Sequence, residues 1–128
     1  MNLDLESLRT YCRKKGKGVR EEFPFDETSM VYKVSGKMFI LISTDIHPLS
    51  INLKCDPERA IELREQYPAV TPGYHMNKRH WNTVTLDGSL PPEEVYGMID
   101  HSFELVQGGS RETARPSFGK SRKGGRQV

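Results

Sequence analysis

Residues 49–58 read Leu49-Ser50-Ile51-Asn52-Leu53-Lys54-Cys55-Asp56-Pro57-Glu58. Leu49, Ile51, Leu53 and Cys55 alternate with Ser50, Asn52 and Lys54, which is the period of a strand with one buried and one wet face. The pattern then changes within one residue. Asp56 is a helix N-cap, Pro57 suits the first helical position, and Glu58 places an acid in the first turn. A half-buried strand running straight into a helix implies a sheet covered by helices on one face only. The expected fold is therefore α+β, two layers, with an antiparallel sheet and the helices packed on one face.

The neighbouring segments extend this reading. Upstream, Met30–Ser35 and Met38–Thr44 read as strands, with Gly36-Lys37 as a tight hairpin turn between them. Residues 19–25 read as a first, weaker strand ending at Pro24. Leu5, Leu8, Tyr11 and Cys12 recur at helical spacing, so a helix is expected over roughly residues 4–15, capped by Asp4 and closed near Gly16. Downstream, Ala60, Ile61, Leu63 and Tyr67 form the apolar side of the helix that Asp56 opens, and Pro68 ends it. Residues 69–73 read as a connection. A strand follows near Asn82–Leu86, and a second is an option near Tyr74–Asn77. Pro92 opens a last helix with Val95, Met98, Ile99, Phe103 and Val106 as its stripe, stopped by Gly108-Gly109. The order is one helix, three or four strands, a helix, one or two strands, a helix.

Two parts differ in charge. The 128-residue chain has a formal net charge of +2. Residues 1–109 hold 13 Lys+Arg and 16 Asp+Glu, whereas residues 110–128 hold 6 Lys+Arg and a single acid, Glu112. The expected organisation is an acidic folded domain, 1–109, followed by a disordered basic tail, 110–128. That tail has only Phe118 and Val128 as large apolar residues, too few to offset the entropy of ordering.

Several classes are disfavoured. No apolar run approaches the roughly 18 residues of a membrane span. The N-terminus lacks the pattern of a secretory signal, and Cys12 and Cys55 are widely separated, so free thiols and a cytoplasmic location are expected. His75 and His80, five apart, have poor metal geometry, so neither metal nor cofactor is expected. No GxSxG, phosphate-cradling loop or reactive-cysteine context occurs, so an enzyme is not expected.

What remains is surface chemistry. Tyr74-His75-Met76-Asn77-Lys78-Arg79-His80-Trp81-Asn82-Thr83 gathers two cations, two histidines, two amides and two aromatics. Cations neutralise phosphate, amides read base edges and rings stack on bases. Trp81 reads more readily as a core anchor, and Lys78-Arg79 can be read as an ordinary solvated turn. The polar strand face, with Lys33, Ser50, Asn52, Lys54, Thr83 and Thr85, offers a shallow surface or is merely wet.

Ordered motifs across residues 3–107 resemble the MmcQ/YjbR family. They are Phe23-Pro24-Phe25, Met30-Val31-Tyr32-Lys33-Val34, Gly36-Lys37-Met38-Phe39, the 49–58 stretch, Pro72-Gly73-Tyr74-His75-Met76-Asn77-Lys78-Arg79-His80-Trp81-Asn82-Thr83-Val84, Leu86-Asp87-Gly88 and Ile99-Asp100-His101-Ser102-Phe103-Glu104-Leu105-Val106. At the position of Phe103 the family more often has Tyr. The resemblance implies a small two-layer α+β domain, similar in outline to type III secretion chaperones and the frataxin-like group, with a double-wing DNA-binding role. Carried onto this chain, it places Lys33, Lys37, Lys78 and Arg79 on phosphate, Asn77 and Asn82 as polar readers, and Trp81 with His80 in the segment that holds them. The tail falls outside the resemblance; its Arg115, Lys120, Arg122 and Lys123 are expected phosphate contacts on charge alone.

The expected function is non-enzymatic DNA binding through a basic hairpin surface helped by the cationic tail. The alternative is a protein-interaction or chaperone-like module with a protein partner.

Overall fold

In a computed structural model, residues 3–73 and 76–107 are described. Helix α1 spans Leu5–Arg13, followed by strands β1 Arg20–Glu22, β2 Ser29–Val34, β3 Lys37–Ser43 and β4 Ser50–Lys54. Helix α2 spans Pro57–Gln66, strands β5 and β6 span Val70–Pro72 and Trp81–Thr85, and helix α3 spans Pro92–Gln107. The six strands form one antiparallel sheet in the order β1-β2-β3-β4-β6-β5. The two-layer α+β expectation holds.

The register explains the core. Met30, Ile42, Ile51, Val84 and Val70 pair successively across five strands, and all five are buried. Side chains alternate along a strand, so this row and its neighbour Tyr32, Ile40 and Leu53 share one face. All three helices pack there. Arg9 and Arg13 of α1 reach Glu21, which also accepts from the Tyr32 hydroxyl at 2.5 Å. Phe103 of α3 meets Phe39 edge-on at 5.1 Å. Arg64 of α2 donates to Asn82 at 2.7 Å. The first and last helices are joined by a Tyr11–Tyr96 ring stack and by Asp100, which accepts from Tyr11 and Lys15.

The local chemistry is that of the sequence. Asp4 caps α1 by accepting from Ser7 N–H, and Asp56 caps α2 by accepting from Glu58 and Arg59 N–H, with Pro57 in the first turn. A register shift at Tyr32/Lys33 pairs Lys33 with Met38, which leaves Phe39 and Ile40 both buried.

Five details depart from the sequence reading. The hairpin turn is Ser35-Gly36, both at positive φ (55° and 76°), and Lys37 already pairs with Val34. Two central residues at φ > 0 give the turn twist that suits a two-residue hairpin. Residues 70–72 are a strand, not a connection, because at the sheet edge Pro72 gives up no needed ladder donor. Described residues 76–80 carry no strand; Tyr74 and His75 lie outside the described residues. Ile61 is 52% exposed and does not belong to the apolar side of α2. Asn52, expected wet, is buried and accepts from the Thr83 hydroxyl at 2.6 Å. Both cysteines are buried and free, and burial pushes each thiol up to about 12.

Candidate nucleic-acid interface

Antiparallel pairing fixes what shares an end of the sheet. The β2–β3 turn, the exit from β4 into α2, the described residues 73 and 76–80 between β5 and β6, and the start of β1 all lie at one end. The loops 23–28, 44–49 and 86–91 lie at the other. At the hairpin end stand Arg20, Lys33, Lys37, Lys54, Lys78 and Arg79, with the exposed acids Asp56 and Glu58 opening α2. At the far end the exposed charges are Asp26, Glu27, Asp45 and Asp87, with Glu93 and Glu94 opening α3. The acidic domain is thus polarised along its strands, with cations gathered where two distant sequence segments meet.

The open face of the sheet continues this end. Arg20 pairs with Lys33, Lys33 with Met38, and Lys54 with Trp81. Trp81, Thr83 and Thr85 point away from the helices, whereas Val84 points into the core. Trp81 is half-buried and is not a member of the core cluster. It therefore sits on the open face beside Lys54 rather than in the helix-covered core.

The 76–81 segment is held by its backbone. Gly73 N–H donates to Trp81 carbonyl at 2.9 Å, and Cys55 N–H donates to His80 carbonyl at 2.7 Å. A Cβ on Gly73 would lie 2.8 Å from Trp81 Cβ, so only glycine permits this approach. Asn77 Oδ1 accepts from Arg79 N–H at 3.0 Å, and Lys78 Nζ donates to Gly73 carbonyl at 3.4 Å. Arg64 reaches across from α2 to the carbonyls of Lys78 and Trp81.

The expected site residues separate into two groups. Lys37, Asn77, Lys78 and Arg79 are exposed, and Lys33, His80 and Trp81 are half-buried, all at the hairpin end. Lys33 pairs with Glu22 at 3.2 Å, which offsets part of its charge. Asn82 is a correction. It is 2% exposed, faces the helices and is bound by Arg64, so it cannot read a base edge from this surface. Its Nδ2 has no hydrogen-bond partner. Arg115, Lys120, Arg122 and Lys123 lie outside the described residues. Arg20 and Lys54 were not singled out as DNA contacts from sequence; only strand register reveals that they adjoin Lys33 and Trp81.

The description YjbR matches over residues 15–105, more than half of the chain. The chain belongs to the YjbR family. A YjbR-family relative in Escherichia coli K12, the uncharacterised protein YjbR, is 34% identical over 102 residues, spanning 80% of this chain and 86% of the relative. Uncharacterised YyaQ of Bacillus subtilis is 42% identical over 57 residues, 44% of this chain and 48% of its own. Among solved structures, the Deinococcus radiodurans protein DR2400 superposes with a TM-score of 0.79 at 39% identity, covering 84% of this chain and 81% of DR2400. A Pseudomonas syringae protein gives a TM-score of 0.69 at 30% identity, covering 81% and 99%. The YjbR-family match spans the sheet, α2 and most of α3, and therefore includes the whole hairpin end.

Among the described residues, no group of three or more His, Cys, Asp or Glu side chains is placed to hold a metal. No described helix is long and apolar enough to cross a membrane. His101 Nε2 accepts from Asp56 N–H at 3.2 Å, and burial, reinforced by Arg59, lowers its pKa to about 4. It is a structural acceptor at the start of α2.

Proposed function

We propose that this YjbR-family protein is a non-enzymatic DNA-binding protein that uses the hairpin end of its sheet. The observation that carries this reading is the convergence of Lys33 and Lys37 with Lys78 and Arg79. They are some forty residues apart in sequence, yet lie at one end of one sheet, with Arg20 and Lys54 between or beside them. The β3 and β6 strands are two interstrand steps apart, roughly 10 Å. Such a row can contact neighbouring phosphates on one nucleic-acid strand. Asp26, Glu27, Asp45 and Asp87 lie at the other end, and at the hairpin end the six cations outnumber the exposed Asp56 and Glu58, so the domain can present cations to a polyanion despite its net negative charge.

Fluorescence anisotropy of the full chain with labelled DNA over 50–200 mM salt tests the reading. If four cations engage phosphate, affinity falls about 100-fold across that range, from a log–log slope of about −3.6. The variant Lys37→Glu/Lys78→Glu/Arg79→Glu should bind far more weakly with unchanged folding. No binding by the unmodified chain at 50 mM salt refutes the proposal.

One observation favours a second reading. Phe23, Phe25 and Ile46 are exposed at the opposite end, near Asp26, Glu27 and Asp45. An apolar, acid-rimmed end suits a protein partner. Capture from lysate with and without nuclease separates the two: a specific partner kept after nuclease, and lost on Phe25→Ser/Ile46→Ser, supports this interaction module.

A further inference from the structure

We infer that the ligand of the hairpin end is single-stranded nucleic acid, laid across the hairpin end of the helix-free face with a base stacked on Trp81. This rests on the nucleic-acid reading above and names its substrate class. Two groups of observations lead to it.

The first concerns what the surface cannot do. Bidentate reading of adenine in a duplex groove needs both the oxygen and the nitrogen of a side-chain amide. Asn77 Oδ1 is committed to Arg79 N–H, and Asn82 is buried against Arg64. Asn82 is excluded from that contact, and Asn77 makes it only by sharing or giving up its turn bond to Arg79. Nor does the β2–β3 hairpin stand out as a ribbon. Arg20 of β1 pairs with Lys33, so only the Val34–Lys37 pair and the Ser35-Gly36 turn extend past β1. A groove about 8.5 Å deep and about 12 Å wide does not admit the sheet behind so short a tip. Five interstrand steps make that sheet about 24 Å wide.

The second concerns what the surface offers. Trp81 and Lys54 are direct cross-strand neighbours on the open face, and Arg20, Lys33 and Met38 continue the same end of that face. Farther along, beyond the buried Val31, Asn52 and Thr83, the face carries hydroxyls: Ser29, Ser43, Ser50 and Thr85 pair in one row across four strands. An aromatic ring flanked by cations on a sheet is a stacking platform with a phosphate track, and unpaired bases have free π-faces to place on it. Bases in a duplex are already stacked and cannot. The chemistry is sequence-tolerant, in keeping with the burial of Asn82.

Trp81 is the sole tryptophan, so its emission reports the proposed contact directly. The full chain is titrated with a 15-nucleotide thymidine oligomer and, separately, with a 15-base-pair duplex, at 50 mM salt. Fluorescence and anisotropy of labelled DNA are read together. The expected result is at least tenfold tighter binding of the oligomer, with quenching of Trp81. Trp81→Phe keeps most of the affinity and Trp81→Ala loses about tenfold, within the range of one base stacked on one ring. Should Trp81→Ala fail to fold, the quench and the Phe variant still decide. Duplex binding equal to or tighter than oligomer binding, or oligomer binding without a quench, overturns the inference and leaves the DNA-binding proposal standing. Binding of neither overturns both.

Discussion

Ser102 donates its hydroxyl to the Phe39 carbonyl at 2.5 Å, joining α3 to the bulge in β3, and the same oxygen accepts from Lys54 N–H at 3.0 Å. The β3–β4 pairing runs from Ser43 opposite Ser50 to Ile40 opposite Leu53. Phe39 and Lys54 would form the next rung, and the fully buried Ser102 hydroxyl bridges it instead. Ser102→Ala leaves a buried carbonyl and a buried amide unpaired, at a cost of about 1–3 kcal/mol. Urea denaturation should show a lower midpoint with an unchanged slope. Lys54 adjoins Trp81, so the variant should also shift Trp81 emission.

Arg64 is the clasp of the 76–81 segment, bonding Asn82 Oδ1 and the carbonyls of Lys78 and Trp81. A planar guanidinium can satisfy three acceptors in fixed directions, and a lysine cannot reproduce that fork. Arg64→Lys should therefore behave like Arg64→Ala, with a loss of about 1.5–3 kcal/mol. Hydrogen exchange is the discriminating measurement. Amides of residues 79–82 should lose protection in both variants while those of β2 and β3 keep it.

Gly73 places its backbone against Trp81. An added Cβ would meet Trp81 Cβ at 2.8 Å, Trp81 carbonyl oxygen at 2.9 Å and Met76 Cβ at 3.0 Å. Two of these contacts are with Cβ atoms and one with backbone, none of them the far end of a flexible side chain. Gly73→Ala should cost about 1–3 kcal/mol as an overpacked contact. Gly97→Ala, where an added Cβ meets nothing within 4 Å, should be neutral or stabilising inside its helix. Thermal melts of the two variants, side by side, check the contrast.

These sites show what a sequence can and cannot reveal. Leu49–Cys55 alternates strictly and Asp56-Pro57 is a strong helix start, so strand, helix and covered face were all legible from local periodicity. Val70-Thr71-Pro72 was not, because three residues carry no period and Pro usually argues against a strand. The turn was misplaced by one residue because Ser35 sits at positive φ, a conformation uncommon for anything but glycine. Asn82 looked like a surface reader because its partner Arg64 is 18 positions away, on another element. The polarised charge was illegible for the same reason. Lys33, Lys54 and Lys78 become neighbours in one end of a sheet only through strand order, a non-local property.

His101 makes the stability of the domain depend on pH in a definite direction. Its Nε2 accepts from Asp56 N–H, which requires the neutral ring, and burial and Arg59 hold its pKa near 4 against an ordinary 6.5. Between those values the unfolded chain takes up a proton that the folded chain refuses. Stability is therefore full above about pH 6.5 and is lost as pH falls toward about 4, by roughly 2–3 kcal/mol. Glu21, held below the usual carboxylate range by the Tyr32 hydroxyl, contributes its own loss only at lower pH. His101→Gln removes the titration while its amide oxygen can still accept from Asp56 N–H. Urea midpoints at pH 7, 6, 5 and 4.5 should fall steadily for the unmodified protein and much less for the glutamine variant. Parallel decline of the two would show that His101 takes up its proton in the folded state as readily as in the unfolded chain, so that burial and the bond to Asp56 do not hold the ring neutral.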